Sequence, residues 1–164
     1  MANNYIYFWS EKTKNGYLSN WYDSPFVSEG KTFQNSEQYF MYQKAVLFND
    51  MEAAKKIMEA ETPKEYKKLG RTVQGFNSEI WEQNRENVMF DGVLLKFCQN
   101  EDLKQKLLAT GDAVLVEASP YDRIWGIGMR KADAEKISPE NWKGLNLLGK
   151  VLMKVRETIK KDIH

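Results

Sequence analysis

Asn35-Ser36-Glu37-Gln38-Tyr39-Phe40-Met41-Tyr42-Gln43-Lys44 is the stretch that decides how this chain is read. Asn35 is a side-chain cap for a helix N-terminus and Gln38, three residues on, can answer it, so a helix is predicted from here to about Phe48. On that helix Glu37 and Lys44 are seven residues apart, about two turns, and share one side with Phe40, Met41 and Phe48. Two charges thus sit on an otherwise apolar stripe. Helical side chains lean toward the N-terminus, so Lys44 can reach back toward Glu37 and the two heads can meet over one small pocket. A solvated face or a structural ion pair explains the same spacing, and period alone does not choose. Glu37 also lies in the first turn, where the helix dipole favours a carboxylate.

Before this helix, Tyr5-Ile6-Tyr7-Phe8-Trp9 reads as a first strand, and residues 17 to 33 mix Tyr17, Trp21, Phe26 and Phe33 with turn formers, as short strands pinned by buried rings do. After it, helices are predicted over Met51 to Glu59 and from Thr62-Pro63-Lys64-Glu65 to a stop near Gly70. Further helices are predicted over Ser78 to Phe97, with Ile80, Trp81, Val88, Val93, Leu94 and Phe97 at helical spacings, and over Glu101 to Ala109, ending at Gly111. Val114 to Ala118 is the clearest strand. The last helix begins near Asn146 and carries Leu147, Leu148, Val151, Leu152, Val155 and Ile159 as one apolar stripe. The expectation is an α+β fold: a single, mostly helical domain over residues 1–164 packed around a small sheet.

Composition narrows the chemistry. The chain has 164 residues and 42% hydrophobic residues, enough to bury a core without metals or disulfides. Its 24 Lys and Arg against 23 Asp and Glu leave a net charge of +1, which argues against a general nucleic-acid coat while allowing local phosphate sites. Cys98 is the one cysteine, so no internal disulfide forms; on its helix it reads as a small core residue. The start lacks the basic and apolar runs of a signal peptide, and no apolar stretch approaches the roughly 18 residues of a membrane span. The chain is therefore read as cytoplasmic, with no membrane partner. The only histidine, His164, is the last residue, which removes Ser-His-Asp, Cys-His and Cys/His zinc chemistry and leaves carboxylates, lysine, tyrosine and backbone donors. No cofactor or metal is expected.

A second candidate region is Tyr121-Asp122-Arg123-Ile124-Trp125-Gly126-Ile127-Gly128. Lys131 stands where a dinucleotide fingerprint needs its third glycine, so that motif is absent. The loop still offers Trp125 as a stacking platform, with Glu117 and Asp122 nearby in sequence; an ordinary turn around a core tryptophan fits equally. Arg71, with Lys64, Lys67 and Lys68 before it, is a possible phosphate contact or part of a solvated helix face. The 8 Phe, 8 Tyr and 5 Trp are enough both to fill a core and to line a pocket.

Taken together, Asn15-Gly16-Tyr17-Leu18-Ser19-Asn20-Trp21, Ser24-Pro25-Phe26 and Phe33 through Lys44 resemble the signature of the YbiA-like, NADAR-domain family. Leu69-Gly70-Arg71, Trp81 to Met89, Lys96-Phe97, Leu107 to Gly111, Leu115 to Ser119, Asp122 with Trp125 to Gly128, and Asn146 to Arg156 resemble its later blocks in order. Gln38 and Tyr42 depart from it, standing where the family has a histidine and a small residue. The resemblance implies an α+β N-glycosidase that cleaves a ribosyl C1–N bond. Its substrate would be a phosphorylated intermediate of riboflavin synthesis or a related N-riboside, or alternatively ADP-ribose joined to guanine in DNA. A non-catalytic ADP-ribose reader or a plain scaffold would keep the same pocket. Near-neutral charge favours the small metabolite. The implied catalytic residues are Glu37 as acid or base, Lys44 as Schiff-base nucleophile or fixing cation, and Asp122 toward ribose hydroxyls. Asn20, Arg71, Glu117, Trp125 and Gly126 would bind substrate, with Arg71 at phosphate and Trp125 on the base.

Overall fold

The computed structural model describes residues 4–163, and His164 lies outside them. In chain order the elements are β1 (Tyr5–Phe8), a 3-10 turn (Gly16–Leu18), β2 (Phe26–Ser28), β3 (Lys31–Phe33), α1 (Ser36–Leu47), α2 (Met51–Glu59), α3 (Pro63–Gly70) and α4 (Ser78–Gln99). Then follow α5 (Glu101–Ala109), β4 (Val114–Glu117), α6 (Lys131–Ala134), a second 3-10 turn (Pro139–Asn141) and α7 (Leu147–Ile163). They form two compact units, residues 4–22 with 101–163, and residues 23–100.

In the first unit β1 pairs parallel with β4, Tyr5 opposite Val114 and Phe8 opposite Glu117. Strand alternation puts Tyr5, Tyr7, Val114 and Val116 on one face, where they join a cluster with Ile127, Ala134 and Trp142. Leu115 points the other way, toward α7, whose Leu148, Val151, Leu152, Val155 and Ile159 form the buried stripe that the sequence predicts. Asn146, in the left-handed region at φ 54°, accepts the Glu117 N–H through Oδ1 (3.0 Å) and donates Nδ2 to the Leu115 carbonyl (3.0 Å). The start of α7 is thereby clipped to β4. Gly149 must lack a side chain there, because a Cβ would collide with the Leu115 carbonyl oxygen.

The second unit packs α1 against α2, α3 and α4, with the β2–β3 hairpin joined to α4. The hairpin turn is Glu29-Gly30, both at positive φ, as a two-residue turn that follows the strand twist requires. Gln99 completes the strand edge: its Oε1 accepts the Val27 N–H and its Nε2 donates to the Val27 carbonyl, both at 2.8 Å. Asn35 caps α1 as expected, accepting the Gln38 N–H at 2.9 Å. Gln38 does not return the bond to Asn35; its Oε1 accepts the Gln34 N–H at 2.8 Å and its Nε2 donates to the Ile57 carbonyl, so it ties the hairpin exit and α2 to the head of α1.

The α+β composition and the long elements fall where the sequence puts them, and the strands are divided between two two-stranded sheets, one in each unit. The four-residue α6 and the second 3-10 turn are too short to show a period and have no sequence signal. Two expectations need correction. Cys98 is exposed rather than core, because Lys96 and Phe97 take the inward positions of that turn of α4. Ile80 is exposed as well, since Trp81 takes the inward position there.

Lys96 is the unusual occupant of this core. Its side chain is 1% exposed, its Nζ lies 5.0 Å from the centre of the Phe97 ring, and burial pushes its pKa down to about 7. Between about pH 7 and the ordinary lysine value the unfolded chain binds a proton that the folded chain does not, so stability rises with pH across that window and the cost is complete below it. Urea unfolding should show a rise of up to about 1.4 kcal/mol per pH unit above pH 7. Lys96→Met should flatten that rise, and an unchanged slope in the variant would show that Lys96 stays charged in its site.

Candidate active site

The face of α1 that the spacing singles out has two different environments. Glu37, in the first turn, is buried. Lys44, about 10 Å further along the axis, is half-buried among rings: its Nζ lies 4.7 Å from the centre of Phe76 and 5.7 Å from that of Trp81. Phe40 packs on Trp81 at 5.0 Å, and Phe48 contacts Phe76 at 5.3 Å and Trp81 at 6.4 Å, closing an aromatic box around the amine. Ring faces attract an ammonium, yet they also remove its water. Desolvation prevails, helped by the like charge of Arg71, and the Lys44 pKa lies below the ordinary lysine value. An amine with a lowered pKa is available as a nucleophile, which a solvated lysine is not.

Two sequence features bring the box together. Gly70 ends α3 against α1, and a Cβ there would collide with the Met41 sulfur, so glycine permits the close approach that sets Arg71 near Lys44. Arg71 itself is exposed, its backbone N–H bound to the Lys67 and Lys68 carbonyls. Lys64 and Lys68 are exposed too, as on a solvated helix face. The second feature is Asp50. Its Oδ1 accepts the Ala53 N–H (3.1 Å) and its Oδ2 accepts the Gln74 N–H (2.8 Å), which fastens the loop that carries Phe76. The Gln74 bond and then the Ala53 bond hold the Asp50 carboxyl below the usual carboxylate range.

The other sequence candidates lie in the first unit. Asp122 Oδ1 accepts the N–H groups of Ile124 (2.9 Å) and Trp125 (2.8 Å), so this carboxylate first of all shapes the loop that presents half-buried Trp125. Oδ2 has no hydrogen-bond partner among the described residues. Gly126 is required by space: a Cβ would sit 2.9 Å from the Asp122 carbonyl oxygen and 3.0 Å from that of Glu117. The Gly126 carbonyl accepts the Asn146 N–H, and Glu117 is fixed through its backbone by Asn146 and Ile127. Asn20 is buried.

The structure thus brings Lys44 and Arg71 together around the aromatic box, with Glu37 on the same helix, and places Asn20, Glu117, Asp122, Trp125 and Gly126 in the other unit. The sequence reading missed Phe76 and Asp50. Phe76 lies in an irregular loop, where no period marks it. Asp50 stands just before a helix, where its capping role is legible but its grip on Gln74 is not.

Comparison with known proteins gives these residues a setting. The NADAR domain family matches residues 7–160. N-glycosidase R617 of Acanthamoeba polyphaga mimivirus is 50% identical over 125 residues, 76% of this chain and 74% of that protein. Riboflavin biosynthesis protein VVA0006 of Vibrio vulnificus is 35% identical over 154 residues, which are 94% of this chain and 38% of that longer protein. The NMR structure of the E. coli protein YbiA aligns with a TM-score of 0.82 at 32% identity, covering 99% of this chain and 89% of that one. With a family match along nearly its whole length and the same fold as YbiA, this chain belongs to the NADAR-domain family.

Proposed function

We propose that this chain hydrolyses the bond between ribose C1 and nitrogen in a phosphorylated N-riboside of the kind met in riboflavin synthesis, with Lys44 as nucleophile and Glu37 as proton carrier. The class is secure: family membership and the names of its relatives make it an N-glycosidase. The substrate reading is supported by the name of the Vibrio relative and by the exposed Arg71 cation near Lys44, whose charge suits a phosphate. The observation that carries the mechanism is the desolvated amine in its box of rings.

The neutral Lys44 amine attacks C1. The C1–N bond of the substrate breaks and its electron pair leaves on the nitrogen, which Glu37 protonates, while Nζ gives up one proton to water and Glu37 regains its proton from solvent. The furanose then opens to an imine between C1 and Nζ, the ring oxygen taking the second Nζ proton. Water adds to C1, the C1–Nζ bond breaks, and ribose phosphate and free Lys44 are regenerated. The net reaction consumes one water and needs no redox partner. Arg71 serves twice here, as phosphate contact and as the like charge that favours the neutral amine. Asn20, Glu117, Asp122, Trp125 and Gly126 are assigned the substrate-binding roles that family likeness implies, with Oδ2 of Asp122 the oxygen available to a hydroxyl. Support comes from the fixed form of the 122–126 loop, held by Asp122 and Asn146.

Borohydride added during turnover should leave a reduced sugar adduct on Lys44, located by peptide mass spectrometry, and Lys44→Met should show none. An adduct-free protein under saturating substrate would refute the imine. Glu37→Gln should keep its fold and lose activity by roughly a hundredfold or more. A folded Glu37→Gln variant with full turnover would remove Glu37 from the mechanism.

A further inference from the structure

A cavity of the first unit shares no residue with the site just described. It has a volume of about 1110 Å³, and Tyr5, Ile6 and Tyr7 of β1 line it together with Trp142. Tyr5 and Tyr7 lie 6.2 Å apart with their planes 28° from parallel, and Trp142 meets both edge-on at 6.1 and 6.4 Å. The indole is locked in place by its own N–H, donated to the Ala134 carbonyl at 3.2 Å. All three rings are only partly buried and turn a surface to the cavity. Around them stand Lys14, Lys106 and Lys131 against a single acidic liner, Glu135. Lys131 is paired with Glu135 at 3.7 Å, whereas Lys14 and Lys106 have no carboxylate partner among the described residues. Lys106 and Lys131 lie 5.7 and 5.8 Å from the ring centres of Tyr17 and Tyr7, so cation and ring face occur side by side. A second hollow of about 390 Å³ shares Tyr7, Lys14, Asn15 and Lys131 with the first and adds exposed Trp9 and Arg130, which extends the same chemistry along the strand.

Flat rings interleaved with unpaired cations select a ligand with a flat heteroaromatic ring and a phosphate. An aliphatic acid would leave the rings unused, and an uncharged aromatic would leave the lysines unused. We propose that this groove binds nucleotide units, the base against Tyr5, Tyr7 and Trp142 and the phosphate at Lys14 and Lys106. The chemistry is shared by a free mononucleotide and by a nucleotide within a single strand. The groove lies outside the Glu37 and Lys44 helix, so its role is to hold a ligand rather than to cleave it.

Fluorescence anisotropy with a short labelled oligodeoxythymidylate, with AMP as competitor, tests this. Saturable binding is expected, with log K falling against log salt at a slope of about −2, as two to three neutralised phosphates give on a single strand. Lys14→Glu with Lys106→Glu, both at exposed positions, should weaken binding at least tenfold with an unchanged melting temperature. Equal affinity for AMP and the oligonucleotide, per nucleotide, supports the proposal and names a free nucleotide as ligand. Tighter binding of the strand supports it and names the strand. Absence of binding by both probes at low salt, or binding that the double variant leaves intact, overturns it. The readout is binding alone, so either result leaves the Lys44 assignment standing on its own test.

Discussion

An ammonium ion laid against aromatic faces is attracted by the rings and deprived of water by them, and the balance between those two effects at Lys44 is what the functional account depends on. The neighbouring charge of Arg71 adds to the loss of water, so the balance falls toward the neutral amine. Each wall of the box has its own cause in the sequence. Phe40 and Phe48 are set by the period of α1, Trp81 by the inward face of α4, and Phe76 by a loop that Asp50 fastens. Gly70 leaves room for the Met41 side chain between α3 and α1, since a Cβ there would collide with the Met41 sulfur.

The first unit shows a different way of fixing a functional loop. Residues 122 to 126 are held by the start of α7, whose Leu147 and Leu148 N–H groups bond the Ile124 and Trp125 carbonyls, and by side chains that take up further backbone groups. Asp122 gathers two N–H groups, and Asn146 in its left-handed conformation bonds three backbone sites, the Glu117 N–H, the Leu115 carbonyl and, through its own N–H, the Gly126 carbonyl. Such bonds leave few backbone groups unsatisfied in a segment with no regular structure. They also explain why an acidic residue that looks catalytic by type has structural work at one oxygen before any substrate arrives.

Much of this was legible in the sequence, and the limits have physical reasons. The caps at Asn35 and Thr62, the stripe of α7 and the strand at residue 114 are local signals, fixed by neighbours within a few positions. The placement of Glu37 and Lys44 two turns apart on one helix is local too. The expected meeting of their heads is not: Lys44 makes no ion pair among the described residues and has Arg71 as its charged neighbour. What surrounds Lys44 is not local either: Phe76 comes from a loop 32 residues away in sequence (76 − 44), and nothing in its neighbours announces it. Cys98 shows the opposite failure, where a residue of the right type sits one position off the buried face. Gln38 shows a third, because its length and type fit a capping box while tertiary packing gives its amide to Gln34 and Ile57.

The ionisation of Lys44 can be observed directly. With carbon-13 placed at the ε position of lysine, an NMR titration follows each amine, and Lys44→Met identifies the resonance. The account requires Lys44 to titrate below the exposed lysines of the same chain. A Lys44 signal that moves with the bulk of the lysines would mean that the rings leave its charge solvated, and the nucleophile assignment would be wrong.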